Sequence, residues 1–163
     1  MADRIGVLHV DDDPDFADLT ATFLEREDDR FDVETAGDAD EALARLAEAE
    51  FDCVVSDYDM PGANGIELLT AVSEEHPGLP FILFTGKGSE EVAGDAVSAG
   101  ATDYIQKEGG TDQYTILANR IDNAVSARRS ARAARRRRHR LEQLLKTVPT
   151  CVVQLDYEGQ FVF

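Results

Sequence analysis

Short apolar segments recur along the first two thirds of the chain, and each is followed by polar residues and then by a helix-like segment. Ile5–Val10 is the first apolar run, and it ends at the acidic stretch Asp11–Asp13. Phe16, Leu19 and Phe23 then recur three to four residues apart, which is the spacing of one face of a helix. Repeats of this alternation predict five strand–helix units. The strands are expected near 5–10, 31–33, 53–55, 80–84 and 103–106.

The predicted strands are continuously apolar, as in Phe81–Phe84, rather than alternating between apolar and polar residues. Continuous apolar runs are typical of parallel strands that helices cover on both faces. Right-handed crossovers between such strands produce an open, doubly wound α/β fold. In these folds, sites form at the carboxyl ends of the strands, so the polar residues that follow each strand are the first candidates for function.

The helix that starts at Asp112 has no stop signal, because no glycine or proline occurs between Thr111 and Pro149. We therefore predict one long fifth helix, whose second half, 128–147, is a basic linker. A stripe of positions spaced alternately three and four residues apart along this helix, which we call the seam, would permit a parallel coiled coil. It would thus permit a homodimer through the fifth helix and its extension. The alternative is a solvated, arginine-rich linker helix. The seam comprises Leu117, Arg120, Ala124, Ala127, Ala131, Ala134, Arg138, Leu141, Leu145 and Val148.

After Pro149 the sequence predicts a different structure. Cys151–Leu155 and Gln160–Phe163 are apolar-rich, and Asp156–Gly159 between them has the composition of a turn, so we expect a strand–turn–strand hairpin. A lone hairpin is only marginally stable in water. We interpret 148–163 as the beginning of another domain, and the chain as a piece of a longer protein.

Composition narrows the class of protein further. Cys53 and Cys151 are too few for a disulfide framework, so a reducing cytoplasm is the expected compartment. The longest strongly apolar run, Phe81–Phe84, is far too short to span a membrane. The start, Met1–Arg4, lacks the basic and apolar leader of an exported protein. We expect a cytoplasmic protein without a membrane partner.

Charge is distributed unevenly along the chain, whose formal net charge is −17. Residues 1–119 contain 6 basic and 29 acidic side chains, a net charge of −23, whereas 120–146 contain 10 basic and 2 acidic ones, a net charge of +8. The acidic block is a poor nucleic-acid binder, because phosphate contacts need cations. Only 3 of the 16 basic residues are lysines. We hypothesise a salt-loving host, where high ionic strength screens the self-repulsion.

Acidic residues follow two neighbouring strands of the predicted sheet, Asp11 and Asp12 after the first and Asp57 after the third. Two carboxylates about 4 Å apart repel by about 4 kcal/mol at an effective dielectric of about 20, and Mg²⁺, which takes oxygen ligands, resolves the conflict. A carboxylate beside Mg²⁺ can act as a nucleophile, and Asp57 is best placed because it ends the central strand. Thr85 can donate its hydroxyl, and Lys107 its positive charge, to phosphoryl oxygens.

Four stretches, in this order along the chain, resemble the receiver domain of two-component response regulators. They are Val10–Pro14, Ser56–Gly65, Phe84–Gly86 and Tyr104–Lys107, and the resemblance covers about residues 4–127. It implies a flavodoxin-like (βα)5 fold with parallel strand order 2-1-3-4-5 and an extended C-terminal helix. It also implies that the chain accepts a phosphoryl group from a sensor histidine kinase or phosphotransfer protein, rather than acting as a turnover enzyme.

The same resemblance implies a role for each site residue. Asp57 accepts the phosphoryl group, Asp12 is a direct Mg²⁺ ligand and Asp11 acts on the metal through water. Asp59 matches the position whose backbone carbonyl completes the metal site. The switch pair is Thr85, whose hydroxyl moves toward the phosphoryl group, and Tyr104, whose ring turns inward behind it.

Two further features modify the resemblance. Glu108 stands where the family usually has a proline after a cis bond, and a non-proline cis bond costs about 2.5–4 kcal/mol, so we expect a differently built loop. Residues 148–163 look like the start of a PAS sensor domain. Together with the basic helix they resemble multidomain signalling proteins of halophilic archaea, in which a longer parent chain could carry a histidine kinase module.

Two other functions compete with this interpretation. Val54–Asp59 also resembles the Asp-x-Asp motif of haloacid-dehalogenase-type phosphatases, but in that family the nucleophile strand comes before the acidic pair. The arginine-rich segment, Arg128–Arg138, suggests nucleic-acid binding, but it has no interleaved aromatic residues for base stacking. Both are kept as alternatives, with nucleic acid an unfavoured partner.

Overall fold

The structure is a computed structural model that describes residues 3–86 and 90–147, together with the strand residues 154–155 and 161–162. Five strands alternate with five helices, and two short strands follow. In chain order the elements are β1 (Ile5–Val10), α1 (Pro14–Glu27), β2 (Phe31–Ala36), α2 (Ala39–Glu48), β3 (Cys53–Ser56), α3 (Gly65–Glu75), β4 (Phe81–Thr85), α4 (Glu90–Ser98), β5 (Asp103–Gln106), α5 (Asp112–Thr147), β6 (Gln154–Leu155) and β7 (Phe161–Val162).

The first five strands form one parallel sheet in the order β2-β1-β3-β4-β5, which confirms the predicted flavodoxin-like order. The pairing of β1 with β3 sets Val10 opposite Ser56. Every residue of β3 and β4 is buried. This burial is the physical reason for their continuously apolar sequences, since no side chain on either face reaches water.

Alternate side chains of β1 enter two separate cores, one on each face of the sheet. Val7 lies in one core with Leu24 of α1 and Ile121 of α5. Leu8 lies in the other core with Leu69 of α3, to which α2 and α4 also contribute. The helices therefore pack on both faces, and the loops at the carboxyl ends of the strands are left to form a site.

The long fifth helix is confirmed, but the seam predicted along it is wrong at its start. Leu117 has no exposed surface and belongs to the core beneath the sheet. Arg120 pairs with Asp103 of β5 at 2.8 Å. Leu117 is therefore not available to a second copy, and Arg120, although its side chain is 54% exposed, is paired within its own domain. Residues 130–147 of the same helix are all exposed.

The chain divides into two compact units, Met1–Arg128 and Arg129–Phe163. In the second unit, β6 pairs antiparallel with β7, as the hairpin prediction requires, and the rest of 148–163 lies outside the described residues. Among the described helices, none has the combination of length and apolar composition needed to cross a membrane.

Candidate phosphoryl-acceptor site

The carboxyl ends of four neighbouring strands bring the predicted site residues together. Asp11 directly follows β1, Asp57 follows β3, Thr85 ends β4 and Lys107 follows β5. The strand pairing continues past the ends of the strands, because the Asp57 N–H donates to the Val10 carbonyl at 2.9 Å and the Lys107 N–H donates to the Thr85 carbonyl at 2.8 Å. The backbone of the site is therefore fixed by the sheet itself.

Three carboxylates converge at this edge. One oxygen from each of Asp11, Asp12 and Asp57 lies within 4.8 Å of the others. Asp11 is 1% exposed and Asp57 is 8% exposed, whereas Asp12 is exposed to solvent. The donor set is all oxygen and open on one side, which fits a hard divalent cation that keeps some of its waters.

Lys107 supplies positive charge inside this cluster. Its Nζ lies 2.7 Å from Asp11 Oδ2 and 3.4 Å from Asp57 Oδ2. The ammonium also lies 4.2 Å from the ring centroid of Phe16, within the range of a cation–π attraction. Because carboxylates this close repel one another, the lysine stabilises the cluster. Sequence reasoning placed Phe16 on an apolar helix face and missed this contact, which joins residues far apart in the chain.

The segment after Asp57 is packed tightly against α3. Asp57 Oδ1 accepts a hydrogen bond from the Tyr58 N–H at 2.8 Å, and the Gly65 N–H donates to the Tyr58 carbonyl at 2.8 Å. A Cβ atom at Gly65 would lie 2.3 Å from the Asp57 carbonyl oxygen. Glycine at the start of α3 is therefore what lets the helix approach the backbone of Asp57.

His9 lies buried on β1, two residues before Asp11, and sequence reasoning gave it no role. Burial lowers its pKa from 6.5 to about 4; Asp11 opposes that shift and Lys107 adds to it. At neutral pH the ring is uncharged, so His9 adds no positive charge beneath the carboxylates.

The remaining candidate residues and the neighbouring Asp13 occupy different environments. Thr85 is buried, 1% exposed, at the end of β4. Asp59 has an exposed side chain, and the three-carboxylate group does not include it. Tyr104 is half-buried on β5, opposite Leu83. Asp13 accepts N–H bonds at the start of α1 and so acts as its N-cap.

The loop after Lys107 differs from the family pattern, as expected. Every peptide bond that the structure describes is trans, including the one between Lys107 and Glu108. The Glu108 N–H instead donates to Gln113 Oε1 at 3.0 Å. Sequence reasoning missed Gln113, because a glutamine in the first turn of a helix shows no partner until the loop before it is placed.

Comparisons with known proteins agree with this geometry. The family model described as "Response regulator receiver domain" matches residues 7–119. The chain is 35% identical over 128 residues to the nitrogen assimilation regulatory protein NtrX of Azorhizobium caulinodans, covering 77% of this chain and 28% of that protein. It is 32% identical to the transcriptional regulatory protein FixJ of Bradyrhizobium diazoefficiens, covering 77% of this chain and 58% of FixJ.

Solved structures give the same result. A CheY-like response regulator receiver domain from Methanospirillum hungatei superposes with a TM-score of 0.71 at 30% identity, covering 78% of this chain and 98% of that one. The BeF3-activated DrrB receiver domain superposes with a TM-score of 0.65 at 25% identity, covering 76% and 98% respectively.

The fold and the acidic strand-end site define a phosphorelay receiver, and the chain belongs to the response regulator receiver domain family. Its function is therefore in two-component signal transduction, and neither the phosphatase nor the nucleic-acid alternative is favoured. The chain spans only about a quarter of the length of the NtrX relatives that it matches.

Proposed function

We propose that Asp57 accepts a phosphoryl group from a phosphohistidine on a sensor histidine kinase or a phosphotransfer protein. An Asp57 carboxylate oxygen attacks phosphorus, the histidine N–P bond breaks as the aspartyl O–P bond forms, and the imidazole leaves. The observation that carries this proposal is the convergence of Lys107 Nζ on both Asp11 and Asp57 beside a third carboxylate. Catalysis of such a transfer is mainly positioning and charge neutralisation.

The acidic cluster of Asp11, Asp12 and Asp57 fits a Mg²⁺ ion. Asp12 and Asp57 would hold the ion directly, Asp11 would act through water, and the backbone carbonyl of Asp59 would complete the site. When bound, the ion supplies positive charge to the carboxylates and the phosphoryl oxygens. Lys107 contributes a second positive charge through its contacts with Asp11 and Asp57. Asp12 is the carboxylate of this cluster whose side chain is exposed to solvent.

Phosphorylation then changes the charge at Asp57. A phosphoryl group adds about −1.5 to −2 charges at neutral pH and several acceptor oxygens. Lys107 and the Thr85 hydroxyl are drawn toward these oxygens, and the half-buried Tyr104 ring moves into the space behind Thr85. The affected surface is formed by α4, β5 and α5, and each of its two states must treat the phosphoryl group differently for the switch to work.

We also propose the arrangement of the remaining chain. The receiver domain spans 4–127, the basic helical linker spans 128–147 and the start of a PAS-like domain spans 148–163. The exposed leucines of the linker, Leu141, Leu144 and Leu145, support a homodimer through the extension of α5. The acidic, lysine-poor composition supports a halophilic host. We propose separately that a longer parent protein carries further signalling modules, such as a histidine kinase.

The test is phosphorylation of the full chain by acetyl or carbamoyl phosphate with Mg²⁺, read by intact mass. We expect one modification in the wild type and none in Asp57→Asn or in the presence of EDTA. Asp40→Asn, which changes an exposed aspartate on α2, is the matched control and should be modified like the wild type. Modification that persists in Asp57→Asn would overturn the assignment, and many turnovers of acetyl phosphate per chain would support the phosphatase alternative.

A further inference from the structure

One side chain forms hydrogen bonds to two points of the loop between β5 and α5. Gln113, in the first turn of α5, is 8% exposed. Its Oε1 accepts the N–H of Glu108 at 3.0 Å, and its Nε2 donates to the carbonyl of Gly110 at 3.0 Å. An amide that both accepts and donates in this way fixes the path of the loop backbone between the two bonds.

This loop needs such a restraint because its sequence is permissive. Gly109 and Gly110 follow Glu108, and Gly110 has a φ of +93°. Glycine loses more conformational freedom on folding than other residues. A proline at 108 would fix φ covalently but would remove the backbone N–H. Glu108 keeps that N–H, and Gln113 uses it.

The restraint acts directly beside Lys107. On its amino side, the Lys107 N–H donates to the Thr85 carbonyl at 2.8 Å. On its carboxyl side, the next N–H in the chain is the one that Gln113 holds. The backbone of Lys107 is therefore held by β4 on one side and by α5 on the other. A lysine ammonium sits on a flexible four-carbon stem, so its reach depends on where the backbone is held.

We propose that Gln113 is a positioning residue for the phosphoryl site, acting through the backbone that carries Lys107; this inference rests on the proposed function. Lys107 supplies the ammonium beside Asp57, whereas the carboxylates of the metal site follow β1 and β3 and do not belong to the loop that Gln113 holds. Loss of the Gln113 bonds should therefore weaken binding of a phosphoryl group but should not weaken binding of Mg²⁺, since an ammonium that moves away from Asp11 and Asp57 leaves both carboxylates free for the cation. A general loss of folding would reduce both affinities together.

The experiment compares the full-length wild type with Gln113→Met, which keeps the length of the side chain and removes both hydrogen bonds. Gln143→Met is the matched control, because Gln143 is exposed on the same helix. The hydrogen bond that the structure describes for its side-chain nitrogen is to His139, far from the loop. Calorimetry measures the affinity for Mg²⁺ alone and for BeF3⁻, a phosphoryl analogue, at saturating Mg²⁺. Acetyl phosphate gives the phosphorylation rate.

For Gln113→Met we expect about a tenfold loss in BeF3⁻ affinity and phosphorylation rate, less than the hundredfold that misplacement by about 1 Å can cost. Mg²⁺ affinity should not fall, because Lys107 competes with the cation for Asp11 and Asp57. Gln113→Glu keeps the acceptor but not the donor, so its BeF3⁻ affinity and phosphorylation rate should lie between those of the wild type and Gln113→Met. Gln143→Met should match the wild type. Wild-type BeF3⁻ affinity and rate in both Gln113 variants, or equal losses of Mg²⁺ and BeF3⁻ affinity, would overturn the inference.

The wild-type arm separates this inference from the proposed function. If the wild type is not phosphorylated at Asp57, the proposed function fails whatever Gln113 does. If the wild type is phosphorylated and Gln113→Met behaves identically, only the role of Gln113 fails.

Discussion

Three carboxylates, of Asp11, Asp12 and Asp57, share the site with one ammonium, that of Lys107. The site therefore has an excess of negative charge, and a phosphoryl group would increase it. Lys107 lies 2.7 Å from Asp11 Oδ2 and 3.4 Å from Asp57 Oδ2. A phosphoryl group on Asp57 brings new acceptor oxygens to the same ammonium. In the proposed function, the residue that stabilises the three carboxylates is thus the one that must change partners, so a single side chain would couple charge at Asp57 to the position of β5.

The packing behind Asp57 predicts that Gly65→Ala is disruptive. The new Cβ would lie 2.3 Å from the Asp57 carbonyl oxygen and 2.8 Å from Leu83 Cδ1, so the backbone of Asp57 or α3 must shift. Overpacking of this kind costs about 1–3 kcal/mol. We expect a fall of that size in the free energy of unfolding, measured by urea titration with circular dichroism, together with slower phosphorylation.

Gly94→Ala is the matched control. Gly94 is exposed within α4, and a Cβ there meets nothing within 4 Å. Alanine is favoured over glycine in a helix by about 0.5–1 kcal/mol, so this variant should be as stable as the wild type or more stable. Equal effects at the two glycines would show that close approach to Asp57 is not the reason for the glycine at 65.

For single residues, the sequence predicted the residue types and their positions at strand ends, but not which side chains contact one another. Asp11 and Asp57 could be placed together because both follow strands of one parallel sheet. The ammonium contact with the Phe16 ring and the bonds made by Gln113 depend on loop paths and helix packing. Neither follows from the local spacing of residues along the chain.

Among the elements, α5 combines two environments in one continuous helix. Its first half buries Leu117, Ile121 and Val125 against the sheet, and the ring of Tyr114 stacks on Phe23 of α1 with centroids 4.6 Å apart. Its second half is exposed from residue 130 onward. Stability of the receiver domain should therefore depend on the first half of α5 and not on the second.

Truncating a leucine in each half tests this division. Leu117→Ala removes a fully buried side chain and should lower the free energy of unfolding by about 2–5 kcal/mol, because buried leucine truncations cost that much. Urea unfolding of the full chain, followed by circular dichroism, measures the change.

Leu145→Ala makes the same substitution on the same helix, where the side chain is 76% exposed. At protein concentrations too low for association, its effect on receiver unfolding should stay within about 0.5 kcal/mol, as for most surface substitutions. A loss under these conditions comparable with that of Leu117→Ala would mean that the second half of α5 packs within its own chain, whereas a loss that grows with protein concentration is what the proposed homodimer predicts.

The same helix shows what a periodic pattern can and cannot predict. The absence of glycine and proline correctly predicted its continuity, because nothing in 112–147 interrupts helical hydrogen bonding. The seam was wrong at Leu117, because a leucine on a 3-4 stripe fits its own sheet and a second helix equally well. Only the position of β5 and the sheet decides between them.

For the molecule as a whole, charge is the dominant long-range feature. Residues 1–119 have a net charge of −23, and the ion pairs described within the receiver unit, such as Arg30 with Asp28 and Asp122, neutralise a small part of it. Excess charge of one sign destabilises the compact state through self-repulsion. The acidic cluster at the site is a local instance of the same imbalance.

This imbalance predicts that monovalent salt stabilises the protein without binding to the site. The Debye length falls from about 30 Å at about 10 mM to about 3 Å at about 1 M, so repulsion across the whole domain is removed over this range. The urea midpoint of the full chain should rise with KCl concentration, with EDTA present so that no divalent cation contributes. The rise should be equal in Asp57→Asn, because the screening acts on the charge of the whole domain and not on the site. Sucrose of matched osmolarity is the control for solute exclusion. A midpoint unaffected by KCl, or raised as much by sucrose, would mean that the acidic surface is already neutralised by the fold and that the proposed halophilic origin has no basis in stability.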